Sequence, residues 1–367
     1  MQRAHNFSAG PAVLPLEVLQ EITRDLPNFN GEGLGLMEMS HRSKTFGTII
    51  DSARSRLRTL LDIPPDYEIL LLQGGASLQF YMTALNLLAP NESGDYLCTG
   101  TWSQKAIKEV NRCATANPIW TPDDGVFNRV PQPNEYQISP DAKYLHYTSN
   151  NTIYGTQYLS LPNSDGKPLI ADLSSDICSG PIEVQKHGVI YAGAQKNLGP
   201  SGVTAVILSP WAVERSRIVD QQRDGGLPSM LNYGLMVDKQ SMFNTPNTFG
   251  IFALERMLAW IERQGGVDTI HQQNQEKAAL LYQELDSSDF WQPHARRDSR
   301  SIMNVTWRIH DPKLEAMFVQ EAEDVHLKGV KGHRSVGGIR ASIYNACPLE
   351  SVLELVSFMR NFVERYG

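Results

Sequence analysis

Residues 189–202 read VIYAGAQKNLGPSG. A branched and aromatic run gives way to Gly193 and Ala194, then to Gln195 and Lys196, then to a turn rich in Gly and Pro. The run has the composition of a strand buried on both faces. A lysine at the end of such a strand is unusual, because an ammonium group resists removal from water. Burial also lowers the proton affinity of an amine and makes it a nucleophile toward carbonyl compounds. Ala192, Gly193 and Ala194 leave room beside the backbone for a flat ring. On this stretch alone, a cofactor lysine and a surface lysine at a strand end are both open.

Outward from this stretch, residues 67–72 (YEILLL), 143–148 (KYLHYT), 168–172 (PLIAD), 188–192 and 204–208 (TAVIL) predict further short strands, and 78–88 (LQFYMTALNLL) a helix. Continuous apolar character suits a mainly parallel sheet, and the alternation of strands with helices suits an α/β layered domain. Residues 249–263 form an amphipathic helical pattern stopped by Gly265 and Gly266, and 267–285 form another. Strand-like stretches at 301–309 and 336–343 follow, then a helix from about Leu349. These patterns predict an N-terminal segment (1–15), a large domain (16–264) and a smaller α+β domain (265–367).

The composition excludes several classes. With 41% apolar and 20% charged residues, the 367-residue chain is ordinary for a globular protein of one large or two smaller domains. No apolar run approaches the length of a membrane span, and MQRAHNFSAGP lacks the apolar core of a signal peptide. Cys98, Cys113, Cys178 and Cys347 lie far apart without a CxxC, so neither a metal site nor a disulfide framework is expected, and a cytoplasmic location is. A formal net charge of −7 argues against nucleic acid or an anionic membrane as partner.

Three further features bear on Lys196. Asp172 closes the strand PLIAD; if that strand neighbours the lysine strand, their ends meet where open α/β sheets place ligands. A carboxylate there suits the pyridinium nitrogen of pyridoxal phosphate, although an N-cap role is the plainer reading. QGGAS at 73–77 joins a strand to a helix, and its glycines and free N–H groups suit a phosphate. Trp102 stands between the strand-like 96–99 and a helix at 103–110, where an indole can stack on a pyridine ring or simply fill core.

Longer strings carry a resemblance. NFSAGPAVLP (6–15), MEMSHRSK (37–44), AGAQKNLGPSG (192–202), SMFNTPNTF (241–249) and KGHRSVGGIRASIYNA (331–346) resemble the phosphoserine aminotransferases, of the class V group of pyridoxal-phosphate-dependent aminotransferases. The resemblance implies a fold type I enzyme: a large domain with a mainly parallel seven-stranded sheet between helices, and a small α+β domain. It implies a homodimer with shared active sites that moves an amino group between L-glutamate and 3-phosphohydroxypyruvate, giving O-phospho-L-serine for serine biosynthesis. In many bacteria such enzymes also act on a phosphorylated four-carbon oxo acid in pyridoxine synthesis.

By position, the resemblance makes Lys196 the Schiff-base lysine and Asp172 the partner of the pyridine nitrogen, with Trp102 stacked on the ring and Thr152 on the phenolic oxygen. Ala76, Ser77 and Gln195 would hold the cofactor phosphate, joined by Asn244 and Thr245 from the partner subunit. Arg334 would bind the substrate α-carboxylate, and His41 and Arg42 of the other subunit the substrate phosphate or the glutamate side chain. His333 and Arg340 are given structural roles. Some relatives carry Arg where this chain has Ser77, a His near Lys328, and a Ser where it has Ala9; Lys328 is expected to supply the missing charge. A cysteine desulfurase using Cys178 or Cys347, a serine–glyoxylate type transaminase and a non-catalytic scaffold are the alternatives.

Overall fold

The computed structural model describes residues 3–367, so Met1 and Gln2 of the N-terminal segment lie outside it. Seven strands make the main sheet: β1 (Glu68–Leu72), β2 (Ser93–Leu97), β3 (Thr115–Trp120), β4 (Leu145–Thr148), β5 (Leu169–Asp172), β6 (His187–Gly193) and β7 (Thr204–Leu208). Their order is β1-β7-β6-β5-β4-β2-β3. Strands β2 to β6 pair in parallel, while β7 runs antiparallel to β6 and β1. Only residues 194–203 separate β6 from β7, too short a span for a crossover helix, so the chain doubles back.

The sheet is covered on both faces, which is why its strands read as unbroken apolar runs. Val189 and Tyr191 of β6 pack with helices α3 (Gly75–Leu87), α4 (Thr101–Val110) and α5 (Pro210–Gln222). Ile190 and Ala192 face the core built with α1 (Leu16–Asp25), α2 (Lys44–Leu60) and α7 (Thr248–Arg263). The edge strand β3 escapes the sequence reading because Pro118 interrupts it. A proline is tolerated on an edge, where its missing N–H loses little.

Gly265 and Gly266, at φ 98° and 81°, turn the chain from α7 into α8 (Gly266–Leu285). Beyond them β8 (Trp291–Pro293), β9 (Asn304–Ile309) and β10 (Ile339–Ser342) form an antiparallel sheet in the order β8-β9-β10. Phe318 is fully buried against the rings of Trp291, Trp307, Phe358 and Phe362. The N-terminal His5–Asn6 pairs in parallel with Leu327–Lys328 and so rests on this C-terminal part. A hairpin, Asn150–Asn151 with Thr156–Gln157, reaches from the large sheet to β9: Asn150 Nδ2 donates to Asn304 Oδ1 (2.7 Å) and Thr306 Oγ1 to the Tyr154 carbonyl (2.8 Å). No helix among the described residues is long and apolar enough to cross a membrane.

Candidate active site

The C-terminal ends of β1, β2, β4, β5 and β6 lie along one edge of the sheet, and the chain leaving each carries a candidate residue. Lys196 sits in the turn after β6, which is closed by Ala194 N–H on the Val203 carbonyl (2.9 Å) and Leu198 N–H on the Ala194 carbonyl (3.0 Å). Its side chain is partly buried. Loss of hydration pushes its pKa down, Arg340 adds to that, and Asp172 and Asp176 pull against it.

Asp172 ends β5, in register with Tyr191 of β6, and is 6% exposed. Its Oδ1 accepts from the Ser174 backbone N–H at 2.9 Å. Burial raises its pKa, offset in part by Lys196 and Ser174. A second acid, Asp176, was not picked out from the sequence. Ser149 Oγ (2.5 Å) and Gln157 Nε2 (3.2 Å) donate to its Oδ2, and burial pushes it up to about 6.

Trp102 occupies the first turn of α4, with its ring centroid 5.8 Å from Lys196 Nζ. Its Nε1 donates to Thr152 Oγ1 at 2.9 Å, which fixes the indole plane and leaves the Thr152 hydroxyl proton free to donate elsewhere. Thr152, two residues beyond the Asn150 that begins the hairpin, is 2% exposed.

Ala76 and Ser77 stand in the first turn of α3, where amide N–H groups have no partner within the helix. Gly74 enters that turn at φ 91°, and a Cβ there would lie 2.4 Å from Leu78 Cδ2. A Cβ on Gly75 would meet nothing within 4 Å, so open space lies over the helix end. Gln195 is held beside Lys196, with its carbonyl accepting from Ala12 N–H at 2.9 Å. A Cβ on Gly193 would approach its Oε1 to 2.7 Å.

The remaining candidates stand differently. Asn244 and Thr245 lie in the loop between α6 (Tyr233–Asp238) and α7, and the Thr245 carbonyl accepts from Gln73 Nε2 at 3.3 Å. His41 is partly buried, and Arg42 and Arg334 are exposed. Lys328 is not the free cation expected: Nζ donates to Glu323 Oε2 (2.6 Å) and to the Glu323 carbonyl (2.9 Å), so its charge is already paired.

Arg340, given a structural role from the sequence, bridges to Thr152 and stands close to Lys196. It is 9% exposed on β10, its Nη1 donates to the Thr152 carbonyl (2.9 Å), and its Nε is buried without a partner. It is also near enough to Lys196 to depress that amine. A buried guanidinium with one nitrogen unpartnered and no carboxylate within salt-bridge range among the described residues can still take a carboxylate. The signal was present in GGIRASIY, an arginine within an apolar strand.

The family model for class V aminotransferases matches residues 4–355. The chain belongs to the class V aminotransferase family. It is 48% identical to a phosphoserine aminotransferase of Desulfotalea psychrophila, over 98% of each chain. The phosphoserine aminotransferase structure from Bacillus circulans subsp. alkalophilus superposes with a TM-score of 0.95 at 42% identity, covering 100% of both chains. A pyridoxal-phosphate-bound phosphoserine aminotransferase from Trichomonas vaginalis gives 0.91 at 37% identity, covering 98% of this chain and 100% of that one. In this class V aminotransferase Cys178 and Cys347 are both buried, and burial pushes their thiols up to about 12 and about 11. Desulfurase chemistry needs an accessible, easily ionised thiol, and neither cysteine offers one.

Proposed function

We infer that this chain is a pyridoxal-phosphate-dependent phosphoserine aminotransferase. It moves an amino group between L-glutamate and 3-phosphohydroxypyruvate and yields O-phospho-L-serine and 2-oxoglutarate. The observation that carries this reading is the convergence of Lys196, Asp172, Trp102 and the unpaired Arg340 at one sheet edge, in a chain whose relatives bear that name.

The residues fit the cofactor. Asp172 is buried with its ionised form disfavoured, so a cation beside it would offset that cost. The open space above Gly75 lies at the positive end of α3, where a phosphate is stabilised. There Ala76, Ser77 and Gln195 would hold the phosphate, Asp172 the ring nitrogen, Trp102 a ring face and Thr152 the phenolic oxygen.

When bound, pyridoxal phosphate supplies an electrophilic carbonyl and a ring that accepts electrons from the substrate α-carbon. Lys196 Nζ, biased by burial toward its neutral form, would take the proton from the α-carbon of the amino donor and, in the second half-reaction, deliver one to the α-carbon of the acceptor. Asp172 would hold a proton at the ring nitrogen. Arg340, rather than Arg334, binds the α-carboxylate common to both substrates, because it is the buried arginine beside Lys196. Arg334, with His333 beside it, is left for the substrate phosphate or the glutamate side-chain carboxylate, together with His41 and Arg42 of the partner subunit.

The same reading takes the protein as a cytoplasmic homodimer in which Asn244 and Thr245 also cross to the partner's site. It takes residues 16–264 and 265–367 as two domains, supported by the separate three-stranded sheet and the double-glycine turn. The test is an assay of purified protein with O-phospho-L-serine and 2-oxoglutarate, against unphosphorylated serine and other amino donors. Glutamate formation from phosphoserine, well above that from serine, is the expected result; indifference to the phosphate would sink the substrate assignment.

A further inference from the structure

Helix α2 follows His41 and Arg42 directly, with Ser43 Oγ accepting from Phe46 N–H at 3.1 Å to begin it. Arg54, on that helix, reaches across to the turn after α6. Its Nη2 donates to the Gln240 carbonyl (2.5 Å) and to Ser241 Oγ (3.2 Å). Gln240 and Ser241 are consecutive non-glycine residues in the left-handed region, at φ 49° and 64°. Two such residues in a row persist only where their surroundings hold them. The second support is the edge strand, where Leu71 N–H donates to Ser241 Oγ at 3.0 Å.

Arg54 is well covered, with a side chain 17% exposed and an Nε buried without a partner. Its only carboxylate neighbour within salt-bridge range among the described residues is Asp51, at 3.4 Å and 74% exposed. A guanidinium withdrawn from water to bind a backbone carbonyl and a hydroxyl is holding a shape. That shape launches the loop with Asn244 and Thr245. Helix α2 is itself fixed to α7, at the far end of that loop: Ser52 Oγ and Arg56 Nε both donate to Glu255 Oε1 at 2.9 Å, and Arg56 also binds Glu262.

We propose that Arg54 is a positioning residue that ties the His41–Arg42 segment and the Asn244–Thr245 loop into one unit, presented to the active site of a second copy of this chain. The proposal rests on the reading that Asn244 and Thr245 hold the cofactor phosphate across the dimer. In this arrangement Arg54 touches neither cofactor nor substrate; it sets the backbone that does.

The experiment compares binding of pyridoxal phosphate and of pyridoxal, which lacks the phosphate, to the apo dimer of wild type, Arg54→Met, Arg54→Lys and Asn244→Ala. Arg54→Met is expected to weaken pyridoxal phosphate binding about tenfold, the effect of one hydrogen bond to a charged group, and to leave pyridoxal unchanged. Arg54→Lys is expected to recover part of the loss. Equal weakening for both ligands, or for neither, overturns the role of Arg54. If Asn244→Ala alone leaves phosphate-dependent binding intact, the loop reading fails instead.

A second arm mixes Arg54→Met with Lys196→Ala and allows subunits to exchange. In a hybrid dimer one site combines an intact Lys196 with a loop supported by the other chain's Arg54. Activity at limiting cofactor should then recover toward about a quarter of wild type, since half the dimers are hybrid and one of their two sites is complete. No recovery would place the effect of Arg54 within its own subunit and overturn the crossing. Should Arg54→Met fold poorly, adding Gln240→Gly, which accepts the left-handed turn without strain, should restore phosphate-dependent binding; a folded double variant with no such gain counts against the proposal.

Discussion

Arg340 and Thr152 meet at a backbone carbonyl: Nη1 of the arginine donates to the Thr152 oxygen at 2.9 Å, while the Thr152 hydroxyl accepts from the Trp102 indole. The group that would bind substrate and the group that would stack on the cofactor are thus one residue apart. Arg340 belongs to the C-terminal sheet and Trp102 to a helix on the large one. Any shift between the two sheets moves both contacts together.

The first consequence concerns substrate binding. Arg340→Lys keeps the charge but loses the two-pronged grip on a carboxylate. It should lower kcat/KM by about a hundredfold for glutamate and phosphoserine alike, the scale of one lost buried ionic contact. Arg334→Ala should instead raise KM with little change in kcat, for the phosphorylated substrate through its phosphate and for glutamate through its side-chain carboxylate. Steady-state kinetics with both donors checks the pair; the opposite pattern would return the α-carboxylate to Arg334.

Lys196→Ala should be colourless after reconstitution and desalting, and its turnover should fall by more than about a thousandfold, the range of general acid–base contributions. Absorbance and rate are read on one sample. Retention of wild-type turnover would remove Lys196 from the chemistry.

Gly155 provides a test of how the two sheets are joined. It sits at φ 71°, and a Cβ there would lie 2.5 Å from Thr306 Oγ1 and 2.8 Å from the Asn304 carbonyl. Gly155→Ala should cost about 2–4 kcal/mol, combining a left-handed alanine with overpacking against β9. Denaturant midpoints measure it, and a change under about 0.5 kcal/mol would show that the contact yields freely.

Acid sensitivity follows from two core histidines. Burial pushes His146 down to about 3 and His187 down to about 4. His187 Nδ1 donates to the Glu183 carbonyl (2.9 Å), leaving Nε2 to accept from Tyr147 Oη (2.8 Å), an arrangement that suits the neutral ring. Unfolded, each would titrate near about 6.5. Between these values the unfolded chain binds protons that the folded chain refuses, so stability falls as the pH drops from about 6.5 toward 4. The slope approaches about 1.4 kcal/mol per pH unit for each histidine, and His187→Gln should flatten it. Unchanged slopes in unfolding series between pH 7 and 4.5 would contradict this account.

Strands β5, β6 and β7 were legible because burial on both faces writes an unbroken apolar run into the chain. Lys196, Asp172 and Trp102 were legible because each stands at or just beyond the end of such a run, and strand ends gather at one edge. The surroundings of Arg340 and Lys328 were not legible, for a shared reason. Whether a cation is free depends on what packs against it. Glu323, at the end of α9 (Pro312–Asp324), claims Lys328, whereas Arg340 reaches the Thr152 carbonyl and meets no carboxylate within salt-bridge range among the described residues. The direction of β7 was readable in principle, from the short span between it and β6. Arg54 gave no sequence signal, because a lysine- or arginine-bearing helix face is ordinarily solvated and its partner lies 186 residues away.

Strand β1 has a single neighbour in the sheet, β7, and residues 73–203 lie between them. During synthesis β1 therefore has no partner in the sheet until Thr204–Leu208 emerges. The turn it carries, from Gly74 to Ser77, acquires its final place in the same event. Closure of the sheet and placement of that turn are one late step, so a nascent chain stopped before residue 204 would carry Lys196 with the Gly74–Ser77 turn on a strand that has no partner.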